Sequence, residues 1–276
     1  MNLKNKNVIV TGGTRGLGLQ ILKDFLENGA NVAFCGRDQN LVLETKQQFD
    51  LDFPNLKIYG QAIDCSDKNQ VNDFVRSCLK FFINENIHIL INNAGIDGPK
   101  NKIEDCDPEE WVQTINVNLF SNLYFLQNIL PIMKLHNYGR IVSLSGGGAT
   151  KPMPFMSAYA ASKSAVVRLC ETVSHEIKDY NIKINCLAPG ALNTRMLDSV
   201  LQAGPAKIGI AHYEKCLQQL QTGGDSLNGA SQICLKLSSD ELCFSGRLVS
   251  AVWDDFEKIE ENIKISPEIY TLRRIT

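Results

Sequence analysis

Short apolar runs alternate along this chain with stretches whose apolar positions recur at helical spacing, from the N-terminus to about residue 190. Runs rich in Val, Ile and Leu at 8–11, 31–35, 56–62, 87–91, 140–145 and 182–187 read as strands. Between them, 17–27, 40–49, 68–82 and 157–180 read as helices. A longer helix opens at Asp107-Pro108-Glu109-Glu110, a cap, an N1 proline and an acidic first turn. Its Trp111, Ile115, Leu119, Leu126 and Leu130 recur at helical spacing. The pattern loosens between Pro189 and Gly229, where Gly204-Pro205 and Gly223-Gly224 punctuate a helical stretch. It resumes with a helix at 229–237 and a strand at 247–252. Strand–helix alternation of this kind predicts an α/β fold, a doubly wound parallel sheet with helices on both faces, in a single domain.

Composition narrows the partners. Among 276 residues, 44% are hydrophobic and 21% charged, with a net charge of -2, so no basic field exists for nucleic acid or anionic lipid. No apolar run is long enough to span a bilayer, and the polar start before Val8 lacks the apolar core of a signal peptide. A cytoplasmic location is therefore expected. The nine cysteines form no metal-ligand spacing with His88, His136, His175 or His212, so no metal site is expected. Cys170, Cys186 and Cys234 sit in apolar segments and read as small buried hydrophobes.

Chemistry concentrates at the ends of strands. The first strand runs into Thr11-Gly12-Gly13-Thr14-Arg15-Gly16-Leu17-Gly18. Glycines between a strand and a helix let the backbone approach a pyrophosphate, whose charge meets the helix N-terminus; a plain flexible turn is the simpler use of the same residues. The second strand ends Cys35-Gly36-Arg37, with an arginine where a carboxylate would bind the ribose 2′-hydroxyl of NAD. Arg37 and Arg15 together suit the 2′-phosphate of NADP, unless both are solvated surface arginines. Asp38 is expected to point away or to cap the next helix. In the run Ser157-Ala158-Tyr159-Ala160-Ala161-Ser162-Lys163, residues four apart share a helix face. The Lys163 ammonium would then lower the Tyr159 pKa and prepare it for proton transfer. Asn118 lies inside the long helix, where its low propensity needs a reason.

Together with Asn92-Asn93-Ala94-Gly95 and Pro189-Gly190-Ala191-Leu192-Asn193-Thr194, these motifs in this order resemble the short-chain dehydrogenase/reductase family over roughly residues 5–250. The resemblance implies a Rossmann-type domain over 1–253, a substrate lid at 196–224 and a C-terminal extension at 254–276. It implies that Gly12, Thr14, Arg15, Gly16, Leu17 and Gly18 hold the phosphates, with Asp64 at the adenine. Asn92, Ala94 and Gly95 would line the adenosine ribose, Lys163 the nicotinamide ribose, and Thr194 with Pro189 and Gly190 the carboxamide. Tyr159 would be the general acid or base, and Asn118 would anchor the water through which Lys163 refills the tyrosine's proton. The family's serine, thirteen residues before the tyrosine, falls on Gly146, and Ser145 is one residue early. Either a bulge in Gly146-Gly147-Gly148 brings Ser145 to the substrate oxygen, which is the expectation taken here, or no serine serves there. The implied activity is NADP(H)-dependent interconversion of a small-molecule carbonyl and alcohol, with NADP(H) preferred over NAD(H), by a homodimer or homotetramer. An NADP(H)-binding sensor or scaffold with weakened catalysis is the alternative, motivated by the displaced serine and by a tail that lacks the usual Asp-Gly-Gly turn. Trp253 and Tyr270 are left between lining a pocket and packing against another subunit.

Overall fold

The computed structural model describes residues 3–82 and 86–273, so the chain termini and the last residues of the tail lie outside the described residues. Seven strands are β1 (Asn7–Thr11), β2 (Asn31–Gly36), β3 (Ile58–Ala62), β4 (Ile89–Asn92), β5 (Gly139–Leu144), β6 (Ile182–Ala188) and β7 (Leu248–Ser250). They form one sheet in the order β3-β2-β1-β4-β5-β6-β7, with every neighbouring pair parallel. The chain starts in the middle, winds out to β3, then returns past β1 to β4. That reversal opens a crevice at the carboxyl ends of β1 and β4, the place where such sheets bind ligands.

Helices α1 (Gly16–Glu27), α2 (Gln39–Asp52), α3 (Lys68–Phe81), α4 (Pro108–Ile115), α5 (Ser121–Leu135) and α6 (Ser157–Glu176) connect the first six strands. Alternate strand residues enter different cores. Val8, Val10 and Leu144 pack with Ile21 and Phe25 of α1, while Ile9, Leu90 and Ile141 pack with Phe74 of α3 and Val166 of α6. Both faces are thus covered, and the near-continuous apolar strands follow from that. Aspartate caps start the helices as the residue pattern requires. Asp38 accepts from the Asn40 and Leu41 amides, Asp67 from Asn69 and Gln70, and Asp107 from Glu109.

The helix expected to run unbroken past Asn118 contains a π-helical turn at Asn116–Phe120 between α4 and α5. The loosened segment becomes α7 (Arg195–Ala203), α8 (Pro205–Ile208) and α9 (Ile210–Thr222), followed by α10 (Leu227–Lys236). The last strand is shorter than the pattern suggests, because Ser250 Oγ accepts from the Val252 and Trp253 amides and turns the chain. After α11 (Ile259–Ile265) the tail returns to the outer edge of β7, where the Leu248 amide donates to Tyr270 O at 2.8 Å. The Leu272 amide donates to Glu171 Oε1 at 2.6 Å and fastens the tail to α6. The tail therefore closes an edge that would otherwise offer unpaired main-chain groups. Tyr270 is part of this seal and donates nothing to the crevice: its hydroxyl accepts from Asn262 Nδ2 at 2.8 Å. Trp253 is 84% exposed.

The amino ends of the strands carry a second polar cluster. The Asn7 amide donates to His88 Nδ1 at 2.9 Å, and the imidazole packs edge-on against Tyr138. Burial, with Lys6 and His136 nearby, pushes His88 down from 6.5 to about 4. Its folded value lies below its unfolded one, so its contribution to stability is present above pH 6.5 and lost as pH falls toward 4. Urea midpoints should therefore decline across that window, and His88→Gln, which keeps an acceptor for Asn7, should flatten the decline.

Candidate active site

The turn from β1 into α1 is built by close approach. Gly12 has φ +67°, a left-handed conformation that disfavours other residues. A Cβ on Gly18 would come within 2.5 Å of Asn93 Nδ2, so only glycine lets α1 start against the β4 loop. Thr11 and Asn93 brace this contact. Thr11 Oγ1 accepts from the Asn93 and Ala94 amides at 3.0 and 2.9 Å, and Asn93 Nδ2 donates to Thr11 O and Gly12 O at 2.9 and 3.1 Å. Neither residue was singled out as functional from the sequence, because their roles depend on two loops meeting. Across the crevice, Thr194 Cγ2 would stand 3.4 Å from a Cβ on Gly16, so the start of α7 faces the glycine turn.

At the tip of β2, Thr14 lies over Gly36, where an added Cβ would meet its Cγ2 at 2.9 Å. Arg15 and Arg37 are both exposed there. Asp38 caps α2 with Oδ1, as expected, yet its Oδ2 reaches Arg15 at 3.4 Å. One of the two arginines, Arg15, already has a carboxylate beside it. Asp64 Oδ1 is held by the Ser66 amide and hydroxyl at 2.9 and 2.7 Å. Asn92 is buried with Nδ2 3.4 Å from Ser143 Oγ, and its Oδ1 is enclosed without a hydrogen bond. After β6, the Ala191 amide donates to Asp225 Oδ2 at 2.6 Å, which fixes the Pro189-Gly190 turn from a residue 34 positions later.

The centre of the site is Asn118. Its Oδ1 accepts from the Ile96 amide and its Nδ2 donates to Ile96 O, both at 2.8 Å. The same Nδ2 donates to Ser162 Oγ at 2.9 Å. The π turn places this carboxamide inward, with Asn122 Nδ2 on the Asn118 carbonyl at 2.8 Å. Through Ile96, Gly95 comes close enough that a Cβ there would be 3.5 Å from Lys163 Nζ. Lys163 donates to Leu144 O at 2.8 Å and lies 5.7 Å from the centre of the Tyr159 ring.

Burial dominates both partners. It pushes Tyr159 up from 10.0 to about 12, with Asp97 adding to the rise, and pushes Lys163 down from 10.5 to about 8. The lysine-lowered phenol expected from the spacing is not what this arrangement produces. Taking the phenolate out of water costs more than the neighbouring ammonium returns. Ser145 also departs from expectation. Its amide continues the ladder to Leu187 O at 2.8 Å, so the strand stays in register up to Ser145, and its Oγ is enclosed with no hydrogen bond. The residue against the Tyr159 hydroxyl is Gly146.

A cleft of about 650 Å³ is bordered by Ile96, Lys100, Glu110, Gln113 and Asp97, the carboxylate whose charge acts on Tyr159. Lys100 pairs with Asp97 at 2.6 Å inside it. Tyr159 itself packs in an apolar cluster with Leu197 and Val200 of α7 and with Met156, Ile208 and Cys216. The crevice has features that a dinucleotide cradle needs: glycines at close approach, a helix start with no side-chain cap, and a buried Asn92 oxygen with no hydrogen bond.

The sequence pattern described as "short chain dehydrogenase" matches residues 6–204. The chain is 34% identical over 203 residues to a 3alpha-hydroxysteroid dehydrogenase of Mediterraneibacter gnavus, a match covering 74% of this chain and 80% of that protein. It is 25% identical over 242 residues to D-beta-hydroxybutyrate dehydrogenase of Rhizobium meliloti, covering 86% and 92% respectively. The crystal structure of levodione reductase superposes with a TM-score of 0.82 at 25% identity, over 90% of this chain and 96% of that one. This chain belongs to the short-chain dehydrogenase/reductase family, nicotinamide-dependent oxidoreductases of small molecules. No helix among the described residues is long and apolar enough to cross a membrane.

Lys163 makes the site's burial measurable. Its folded value of about 8 lies below its unfolded 10.5, so the unfolded chain binds the extra proton between them and stability rises with pH across that window. The cost of holding the buried ammonium below pH 8 is on the order of 3 kcal/mol. Lys163→Met should remove the rise, read as the difference between parent and variant urea midpoints from pH 7.5 to about pH 10.

Proposed function

We propose that this protein is an NADP(H)-dependent oxidoreductase that interconverts a carbonyl and an alcohol, with Tyr159 passing the proton. The observation that carries the reading is the convergence of Tyr159, Lys163 and Asn118 on the crevice between the glycine turn and the Asp97 cleft. Gly12, Thr14, Arg15, Gly16, Leu17 and Gly18 would hold the phosphates. Arg37 would read the 2′-phosphate, with Asp64 at the adenine and Asn92, Ala94 and Gly95 along the adenosine ribose. Thr194, Pro189 and Gly190 would seat the carboxamide. The bound nicotinamide supplies or takes the hydride.

The protein's own part is proton handling and exclusion of water. Tyr159, whose phenol burial pushes further up to about 12, would give its proton to the carbonyl oxygen as that oxygen gains charge in reduction and would take it back in oxidation. Lys163, already donating to Leu144 O, has further ammonium protons for the ribose side and for the phenol. Asn118 holds the Ile96 main chain and would anchor the water through which Lys163 refills the tyrosine's proton. The segment 196–224 would act as the lid, since Leu197 and Val200 already cover the tyrosine. The rest of 1–253 would be the catalytic domain and 254–276 an extension that seals β7. Exposed Val112 and Phe120, on α4 and the π turn, support a homodimer or homotetramer. A cytoplasmic protein fits this reading. The sensor alternative is not favoured, because the relatives are oxidoreductases and the tyrosine, lysine and asparagine are all in place.

Two substitutions test the reading. Tyr159→Phe should leave NADPH binding by fluorescence titration unchanged and lower turnover by about 10²–10⁴-fold on a carbonyl substrate; equal turnover would refute the assignment. Arg37→Asp should move the ratio of kcat/KM for NADPH over NADH toward NADH by about tenfold to a hundredfold, the worth of one charged hydrogen bond. An unchanged ratio would remove Arg37 from 2′-phosphate recognition.

A further inference from the structure

Gly146 sits where β5 gives way to the turn before α6, with an extended backbone (φ −175°, ψ 172°) that any residue adopts. The main chain therefore does not require glycine here; the Tyr159 phenol does. A Cβ on Gly146 would overlap the Tyr159 hydroxyl and stand 3.2 Å from Cζ and 3.4 Å from Cε1. The neighbouring glycines behave differently. A Cβ on Gly147 meets nothing within 4 Å. One on Gly148 would come within 2.9 Å of the Ala160 backbone, so the turn is docked on α6 and has no room to retreat. Tyr159 also packs in one apolar cluster with Met156, Leu197 and Val200. Ser145 offers it nothing, because its Oγ is enclosed and makes no hydrogen bond.

We propose that Gly146 is the positioning residue for Tyr159, setting the phenol's seat by the side chain it lacks. The tyrosine hydroxyl stands in the volume that the family's serine would fill thirteen residues before it. The substrate oxygen then meets the phenol without a serine hydroxyl at that position, and installing one displaces the proton donor. Restoring the family residue is therefore harmful here.

The test has an arm that needs neither substrate nor cofactor. Thermal melts are recorded for Gly146→Ala, Gly147→Ala and each combined with Tyr159→Phe. Gly146→Ala should lower Tm by several degrees, as overpacking does, and lose much of that effect in the Tyr159→Phe background, where the hydroxyl is gone. Gly147→Ala should change Tm equally little in both backgrounds. If Gly146→Ala does not fold, recovery of folding in the double variant supports the proposal, and failure of both overturns it. Equal losses in the two backgrounds also overturn it. In the second arm, which rests on the catalytic reading above, Gly146→Ser should lower kcat about tenfold or more while NADPH affinity stays within about twofold. Turnover at or above the parent's would overturn the proposal. A parent without turnover would refute the catalytic reading alone and leave the melting arm to decide this one.

Discussion

The site depends on one carboxamide. Asn118 is fully buried and satisfies both main-chain groups of Ile96, the second residue past the Asn93-Ala94 brace, while also bonding Ser162 on α6. Removing it would take the partners from the N–H and C=O of half-buried Ile96, a loss of about 1 kcal/mol for each bond. That bond set joins the loop after β4 to the helices that carry Asn118 and Lys163. The π turn is the means: it breaks the α-helical ladder at the point where an inward amide is needed. With Ile96 held, Gly95 lies near Lys163 and Ile96 itself borders the Asp97 cleft.

Enclosure then sets the chemistry. The same packing that orders Tyr159 and Lys163 strips both of water, which drives the phenol up to about 12 and the ammonium down to about 8. The two groups therefore move away from the charged pair that their spacing suggests. A neutral phenol suits donation of a proton, and a lysine with a lowered value exchanges protons near neutral pH. Helix α7 contributes to this enclosure, since Leu197 and Val200 belong to the tyrosine's own cluster.

Much of this architecture was legible in the residue pattern. Apolar strands and periodic helices located the elements to within a few residues, and the capping roles of Asp38 and Asp107 were readable as such. The poor helix propensity of Asn118 marked it, though not the π turn or Ile96. Counting back from Tyr159 landed on Gly146, but the idea that Ser145 would be carried forward assumed a bulge. The strand instead stays in register, with the Ser145 amide on Leu187 O. Asp97, Asp225, Asn93 and Thr11 carried no signal of their own, because each acts on a segment remote in the chain.

Residue order alone settles the parallel doubly wound sheet, the glycine turn, the arginines at the tip of β2 and the tyrosine and lysine on one helix face. All of these rest on periodicity or on spacing within a few residues, which the backbone geometry converts directly into position. The raised pKa of Tyr159, the seat of its hydroxyl against Gly146, the enclosure of Ser145 and the tail's seal on β7 were decided only when distant segments packed together. Desolvation and steric exclusion are properties of enclosure, and enclosure is created by elements that the chain brings together from far apart.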